Sequence, residues 1–165
     1  MFAYEHYGIR PDILTLAKPL GGGLPLGAVL VREELASGIK PGDHGSTFGG
    51  NPVSCAAGLA VLETLKSQGL LARAETLGMR VEKILRPLVA PKGPVTEFRR
   101  LGLMTGLVVG DAMARVHDAC LERGLLVGKS SGGVIRLHPP LTVSEADLDK
   151  GLGILAGVLA GVPVR

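Results

Sequence analysis

The placement of glycine limits how this chain can fold more tightly than its hydrophobic content does. Its 25 glycines and 11 prolines do not form a low-complexity tract. They gather at Gly21-Gly22-Gly23, at Gly45-Ser46-Thr47-Phe48-Gly49-Gly50, and from Gly128 to Gly133, each time between apolar segments. Glycine permits positive φ and lets backbone approach another group closely. Clusters of this kind between regular elements read as ligand-facing loops on a rigid scaffold.

The segments between the clusters alternate in type. Ile13 to Ala17 and Gly27 to Val31 are short, apolar and bounded by turn residues, which predicts buried strands. Val53 to Leu65 predicts a helix with Pro52 at its first position and Asn51 as N-cap. It is apolar on nearly every side, so it too is expected to be buried. Leu71 to Val89 is amphipathic, with Leu71, Ala74, Leu77, Val81, Ile84, Leu85 and Leu88 on one face and Pro87 and Pro91 marking its end. Strands are expected at Val95–Phe98, Leu103–Val109, Leu125–Val127 and Val134–Leu137, and a helix from Ala112 to Arg123 that stops at Gly124. Ser144-Glu145-Ala146-Asp147 is a capping-box variant opening a last helix, whose Leu148, Leu152, Leu155, Leu159 and Val162 face one way. Strands alternating with helices predict an α/β chain. A lobe boundary near the Leu71–Val89 helix divides it into residues 1–75 and 76–165.

Composition narrows the function. With 46% hydrophobic and 20% charged residues, the 165-residue chain reads as a globular protein of one ordinary domain or two small lobes. The formal net charge is +3, but Lys and Arg are dispersed, with only Arg99 and Arg100 adjacent, and aromatics make up 3%. That argues against a nucleic-acid partner and for small ligands bearing phosphate or carboxylate. Cys55 and Cys120 lack metal-ligand spacing and read as small hydrophobes in a reducing, cytoplasmic compartment. The opening Met-Phe-Ala-Tyr-Glu-His-Tyr lacks the basic start and apolar run of a signal peptide. The apolar stretch from Gly151 to Val164 is too short to span a bilayer, which takes about 20 residues. No membrane association is expected.

Three elements can carry chemistry. Lys18 follows an apolar strand and precedes Pro19-Leu20-Gly21-Gly22-Gly23-Leu24-Pro25. At the end of a buried strand its amine could stay neutral enough to attack a carbonyl; the alternative is a surface lysine starting a loop. In His44-Gly45-Ser46-Thr47-Phe48-Gly49-Gly50-Asn51-Pro52, hydroxyls and free N–H groups precede a helix start, which suits a phosphate. A capped turn with no ligand reads equally well, and the segment is not a Walker A loop. Arg136, in Val134-Ile135-Arg136-Leu137-His138-Pro139-Pro140, places a guanidinium on a short apolar strand, where its fork suits a bidentate carboxylate or phosphate. The alternative is an arginine on an edge strand. His6, His117 and His138 show no metal spacing and read as structural, and no metal is expected.

In this order, the three elements together resemble the class III (ornithine-type) aminotransferases, pyridoxal-phosphate enzymes of fold type I. Pro11-Asp12-Ile13-Leu14-Thr15-Leu16-Ala17-Lys18 with Gly21-Gly22-Gly23-Leu24-Pro25-Leu26-Gly27 looks like the family's lysine segment. His44 to Pro52 is similar to its phosphate-contacting turn, and Val134 to Leu137 with Pro139-Pro140-Leu141 to its C-terminal arginine segment. Within the family, the acetylornithine/ornithine group is the most similar, carrier-protein-linked lysine-biosynthesis relatives included. The resemblance implies the end of a large-domain sheet plus a small α+β C-terminal domain. It implies that Lys18 carries pyridoxal 5′-phosphate as a Schiff base and then moves the proton at the substrate Cα. Thr47, with Ser46, would bind the cofactor phosphate from the neighbouring subunit of a homodimer. Arg136 would clamp the α-carboxylate of glutamate or 2-oxoglutarate, the amino donor being N-acetylornithine, ornithine or a related intermediate.

The chain departs from the family pattern in two places. Pro19 stands where relatives carry a small residue, removing an N–H and stiffening the turn. The aspartate at the pyridine nitrogen, the first phosphate-binding glycine loop and the ring-stacking aromatic precede the lysine segment in the family, and Met1 to Arg10 match none of them. The chain is therefore expected to be a C-terminal portion, inactive by itself and with an unpaired sheet edge. The competing reading is a non-catalytic α/β module, or a separately encoded half, that binds an anion or a partner chain. A nucleotide-binding domain fails for want of a strand–loop–helix glycine fingerprint with a distal acid.

Overall fold

The computed structural model describes residues 1–162. The chain forms two compact units, Met1–Leu71 and Ala72–Arg165.

In the first unit, β1 (Ile13–Leu16) pairs antiparallel with β2 (Ala28–Val31), Ile13 opposite Val31 and Leu16 opposite Ala28. A short helix, α1 (Glu33–Ala36), follows. α2 (Pro52–Ser67) begins where the sequence predicts. The Asn51 side chain accepts hydrogen bonds from the N–H groups of Val53 and Ser54 at 3.0 and 3.2 Å. Pro52 takes a position whose N–H would have no helical partner.

The expected burial of β1, β2 and α2 is not found. Ile13 is 57% exposed, Leu30 51%, Val53 67% and Leu59 62%. Leu70 is the only large apolar side chain of this unit that is buried among the described residues. The reason is geometric: a two-stranded ladder and one long helix have too little surface to enclose each other's apolar faces.

The second unit closes its own core. α3 (Leu70–Leu85) ends in a 3-10 turn at Arg86–Leu88, which contains Pro87. β3 (Glu97–Leu101), β4 (Met104–Val108), α4 (Met113–Glu122), β5 (Gly128–Ser130), β6 (Val134–Leu137) and α5 (Glu145–Ala160) follow. The strands form an antiparallel sheet in the order β3-β4-β6-β5, the α+β arrangement that the resemblance implies. Leu77, Val81 and Leu85 of α3, Val116 and Cys120 of α4, and Leu148, Leu152, Leu155 and Leu159 of α5 pack with Phe98, Leu107 and Ile135 from one face of the sheet. Burying each such side chain contributes about 1.5–3 kcal/mol. The other face, with Arg99 and Met104, stays exposed.

Two strands lie further on than expected: β3 begins two residues after Val95, and β5 three residues after Leu125. Leu125–Val127 are not in a strand, and Leu126 is 85% exposed. The Leu125 N–H still donates to the Cys120 carbonyl, closing the end of α4 around Gly124 at φ +77°. The β5–β6 register places Ser130 opposite Val134, across a turn in which Gly132 and Gly133 both take positive φ.

Charged contacts fasten α3 to its neighbours. Arg100 on β3 donates to Glu75 and Glu82 of α3, and its hydrogen bonds to Glu75, ahead of those to Glu82, push the guanidinium pKa up. Arg80 donates to Asp149 and Glu145 at the start of α5, and its hydrogen bond holds the Asp149 carboxyl below the usual range.

Candidate active site

Beyond β1, Ala17 is fully extended at φ −160° and ψ −156°, and the chain then turns abruptly. Lys18 has φ +60°, the only non-glycine residue in the left-handed region among the described residues. For a residue with a Cβ this costs about 1–3 kcal/mol, and such strain gathers at functional sites. The following proline adds to the strain, because it normally steers the preceding residue to extended backbone. Pro19 itself fits without cost, in the first turn of a 3-10 segment at Lys18–Gly21 where its missing N–H has no partner to lose. The turn closes through the Gly22 N–H on the Pro19 carbonyl at 3.0 Å.

α2 supports this turn. A Cβ on Gly22, which has φ +61°, would lie 3.0 Å from Cγ2 of Val61. One on Gly58 would lie 2.5 Å from Cδ2 of Leu26 and 3.4 Å from the Leu20 carbonyl oxygen. The same helix is capped by Asn51, directly after the Ser46–Gly50 turn. That turn spends few of its donors. The Gly49 N–H bonds the Ser46 carbonyl at 3.3 Å and the Asn51 N–H bonds the Phe48 carbonyl at 3.2 Å. The N–H groups of Ser46, Thr47 and Gly50 and both hydroxyls have no partner among the described residues. Unspent donors just ahead of a 16-residue helix suit an anion.

Lys18, Ser46 and Thr47 thus share one support, but no direct hydrogen bond joins the lysine to the turn. All three are exposed, as is Phe48 at 81%. The expected burial of Lys18 is not met within this chain, for the reason that leaves β1 uncovered.

Arg136 belongs to the second unit. It lies on β6, pairing with Gly106 on β4 and Gly128 on β5. Ile135 beside it points into the core at 0% exposure, which fixes Arg136 on the opposite, exposed face. Its guanidinium has no carboxylate or hydrogen-bond partner among the described residues. The sequence singles out Lys18, Ser46, Thr47 and Arg136 as candidates but does not point to Gly58, Val61 and Leu26, which hold the lysine turn. A small residue repeated on α2 was the available signal, and it does not say what it packs against.

Comparison with known proteins follows from this geometry. The family model described as Aminotransferase class-III matches residues 1–159. Acetylornithine aminotransferase from Caldanaerobacter subterraneus subsp. tengcongensis is 47% identical over 98% of this chain, which covers 41% of that relative. Its counterpart from Gloeobacter violaceus is 46% identical over 99% of the chain, again 41% of the relative. The crystal structure of acetylornithine aminotransferase from Elizabethkingia anophelis superimposes with a TM-score of 0.87 and 36% identity over 97% of this chain and 43% of that one. Ornithine aminotransferase from Toxoplasma gondii, a structure with partial occupancy of PLP at its active site, gives 0.88 and 35% over 97% of this chain and 39% of that one. The chain therefore spans about two-fifths of the length of the relatives it matches.

Proposed function

The chain belongs to the class III aminotransferases, and on that footing we propose that it is the C-terminal portion of an enzyme that moves an amino group from an ω-amino donor, N-acetylornithine, ornithine or a related biosynthetic intermediate, to 2-oxoglutarate. The reading rests on Lys18: a lysine forced into left-handed backbone, at the end of a strand and against a glycine turn braced by α2. Its roles are supported by the family match over residues 1–159.

The residues present fit pyridoxal 5′-phosphate. An amine stands on the strained turn, and hydroxyls with unspent N–H groups precede a long helix. When bound, the cofactor supplies an aldehyde that takes up the amino group and a conjugated ring that accepts an electron pair. Lys18 would hold the cofactor through its amine, and the same amine would serve as the base that holds and returns the proton of the substrate Cα. Ser46 and Thr47 would hold the phosphate of the cofactor bound by the neighbouring subunit of the proposed homodimer, with their hydroxyls and unspent N–H groups as donors. Arg136 takes the substrate α-carboxylate as a bidentate pair, orienting the Cα–H bond.

We assign residues 1–75 to the end of the cofactor-binding domain and 76–165 to the small C-terminal domain, an assignment supported by the division of contacts at Leu71 and Ala72. The parent enzyme is proposed to be a cytoplasmic homodimer with unpaired Cys55 and Cys120. No described helix is long and apolar enough to cross a membrane. The isolated 165 residues are proposed to be inactive: Lys18, Ser46 and Thr47 are exposed, and no acid among residues 1–10 matches the family's partner for the ring nitrogen.

A chimera tests the reading. This chain replaces the aligned segment of the Caldanaerobacter enzyme, which is then assayed with N-acetylornithine and 2-oxoglutarate. Transamination is expected, with loss on Lys18→Ala. A folded chimera that binds the cofactor but transfers the amino group of neither N-acetylornithine nor ornithine to 2-oxoglutarate sinks the proposal.

A further inference from the structure

The exposed face of the second unit's sheet carries one row that runs Arg99, Gly106, Arg136, Gly128 across β3, β4, β6 and β5. Residues directly opposite one another in antiparallel ladders project to the same face. Arg136 therefore faces a position without a side chain on each neighbouring strand. Neither glycine is required by the backbone, since neither has φ in the left-handed region. A Cβ on Gly106 would meet Cγ1 of Val134 at 3.4 Å. One on Gly128 would lie 3.5 Å from Cβ of Arg136 and 3.6 Å from its Nε, so the arginine stem leans over this glycine. Glycine inside a strand weakens it and marks close approach by another group. The two arginines of the row differ in state. Arg99 is held at both Nε and Nη2 by Glu97, each at 2.6 Å, whereas Arg136 has no partner among the described residues.

Resting on the reading of Arg136 as a carboxylate clamp, we propose that Gly106 and Gly128 are specificity-determining residues of that clamp. Their missing side chains open a trough across β4, β6 and β5, roughly 10 Å wide from the spacing of three strands. In it a planar carboxylate reaches the guanidinium edge and pairs with two N–H groups. A side chain at either position fills the trough from one flank. At Gly128 the γ carbons of a branched side chain also push against the arginine stem, since the Cβ position already lies 3.5 Å from Cβ of Arg136 and 3.6 Å from its Nε.

The test uses the whole 165-residue chain, labelled with nitrogen-15, and 2-oxoglutarate as the probe. The readout is the Nε–H resonance of Arg136, with the backbone amide spectrum reporting the fold. Wild type is expected to show a saturable shift that Arg136→Ala abolishes. Gly128→Val and Gly106→Val are expected to weaken binding at least tenfold with the amide spectrum retained, valine being suited to strands. Gly128→Ala should weaken it less than threefold, because its Cβ makes only ordinary contact with the arginine. Should a valine variant fail to fold, Gly128→Ser or Gly106→Ser carries the same expectation with a smaller fold-change. Binding that depends on Arg136 but is unchanged in folded glycine variants overturns the trough and leaves the clamp standing. A wild-type chain with no saturable shift, or one indifferent to Arg136→Ala, overturns the clamp and the trough together.

Discussion

Gly78→Ala should destabilise the second unit even though alanine is the better helix former. Gly78 lies within α3 and faces the β3–β4 turn. A Cβ there would lie 2.2 Å from the Gly102 carbonyl oxygen, 2.8 Å from its carbon and 2.6 Å from Nη1 of Arg100. The obstacle is backbone, which cannot rotate aside, so α3 must withdraw by roughly 1 Å. Overpacking of this kind costs about 1–3 kcal/mol, and a backbone collision belongs at the upper end. Withdrawal also stretches the hydrogen bonds of Arg100 to Glu75 and Glu82 on α3. With Glu75 half exposed, that adds about 1 kcal/mol. Alanine returns about 1 kcal/mol of helix propensity. The net expectation is a loss of about 2–3 kcal/mol, read as a lower urea midpoint by circular dichroism. Gly153→Ala is the control, since a Cβ on this α5 glycine meets nothing within 4 Å. It should gain about 0.4–1 kcal/mol. If Gly78→Ala is as stable as wild type, the close approach of α3 to the turn is refuted.

Leu107→Ala, at a position with 0% exposure, should cost about 2–5 kcal/mol in the same urea assay, and a loss under 1 kcal/mol would contradict the packing around β4. Asn51→Ala removes the acceptor of two N–H groups and should weaken the start of α2 by about 1 kcal/mol, seen as faster hydrogen exchange at Val53 and Ser54. Stability should also fall in acid. Arg80 holds the Asp149 carboxyl below its ordinary range, and Arg100, then Arg86, does the same for Glu82. Because these folded-state values are depressed, the contribution is complete above the ordinary carboxylate range, about pH 4, and is lost as pH falls through the folded values. Asp149→Asn should flatten that acid slope in a pH series of thermal melts, and an unchanged slope would remove the Arg80 pair from the account.

What could be read from the sequence follows from how local each signal is. The apolar period of α3 and the caps at Asn51 and Ser144 need only a few neighbouring residues, and they reappear at the expected places. Leu125–Val127 has a strand's composition, yet the end of α4 claims Leu125 and the β5–β6 turn sets the ladder three residues later. The left-handed backbone of Lys18 has no sequence signature, because lysine rarely adopts it and the proline after it points the other way. The glycines flanking Arg136 are 30 and 8 residues away in sequence, so only strand register brings them together. The apolar content of β1 and α2 leads to an expectation of burial that these residues do not meet, because composition does not say what covers a face.

Covalent capture at position 18 tests the central claim most directly. The chimera, saturated with pyridoxal phosphate, is reduced with borohydride, digested and mapped by mass spectrometry. The account predicts a single pyridoxyl group on the peptide containing Lys18, and neither label nor yellow colour in Lys18→Ala. A label on a different lysine, or colour that survives the substitution, would contradict it.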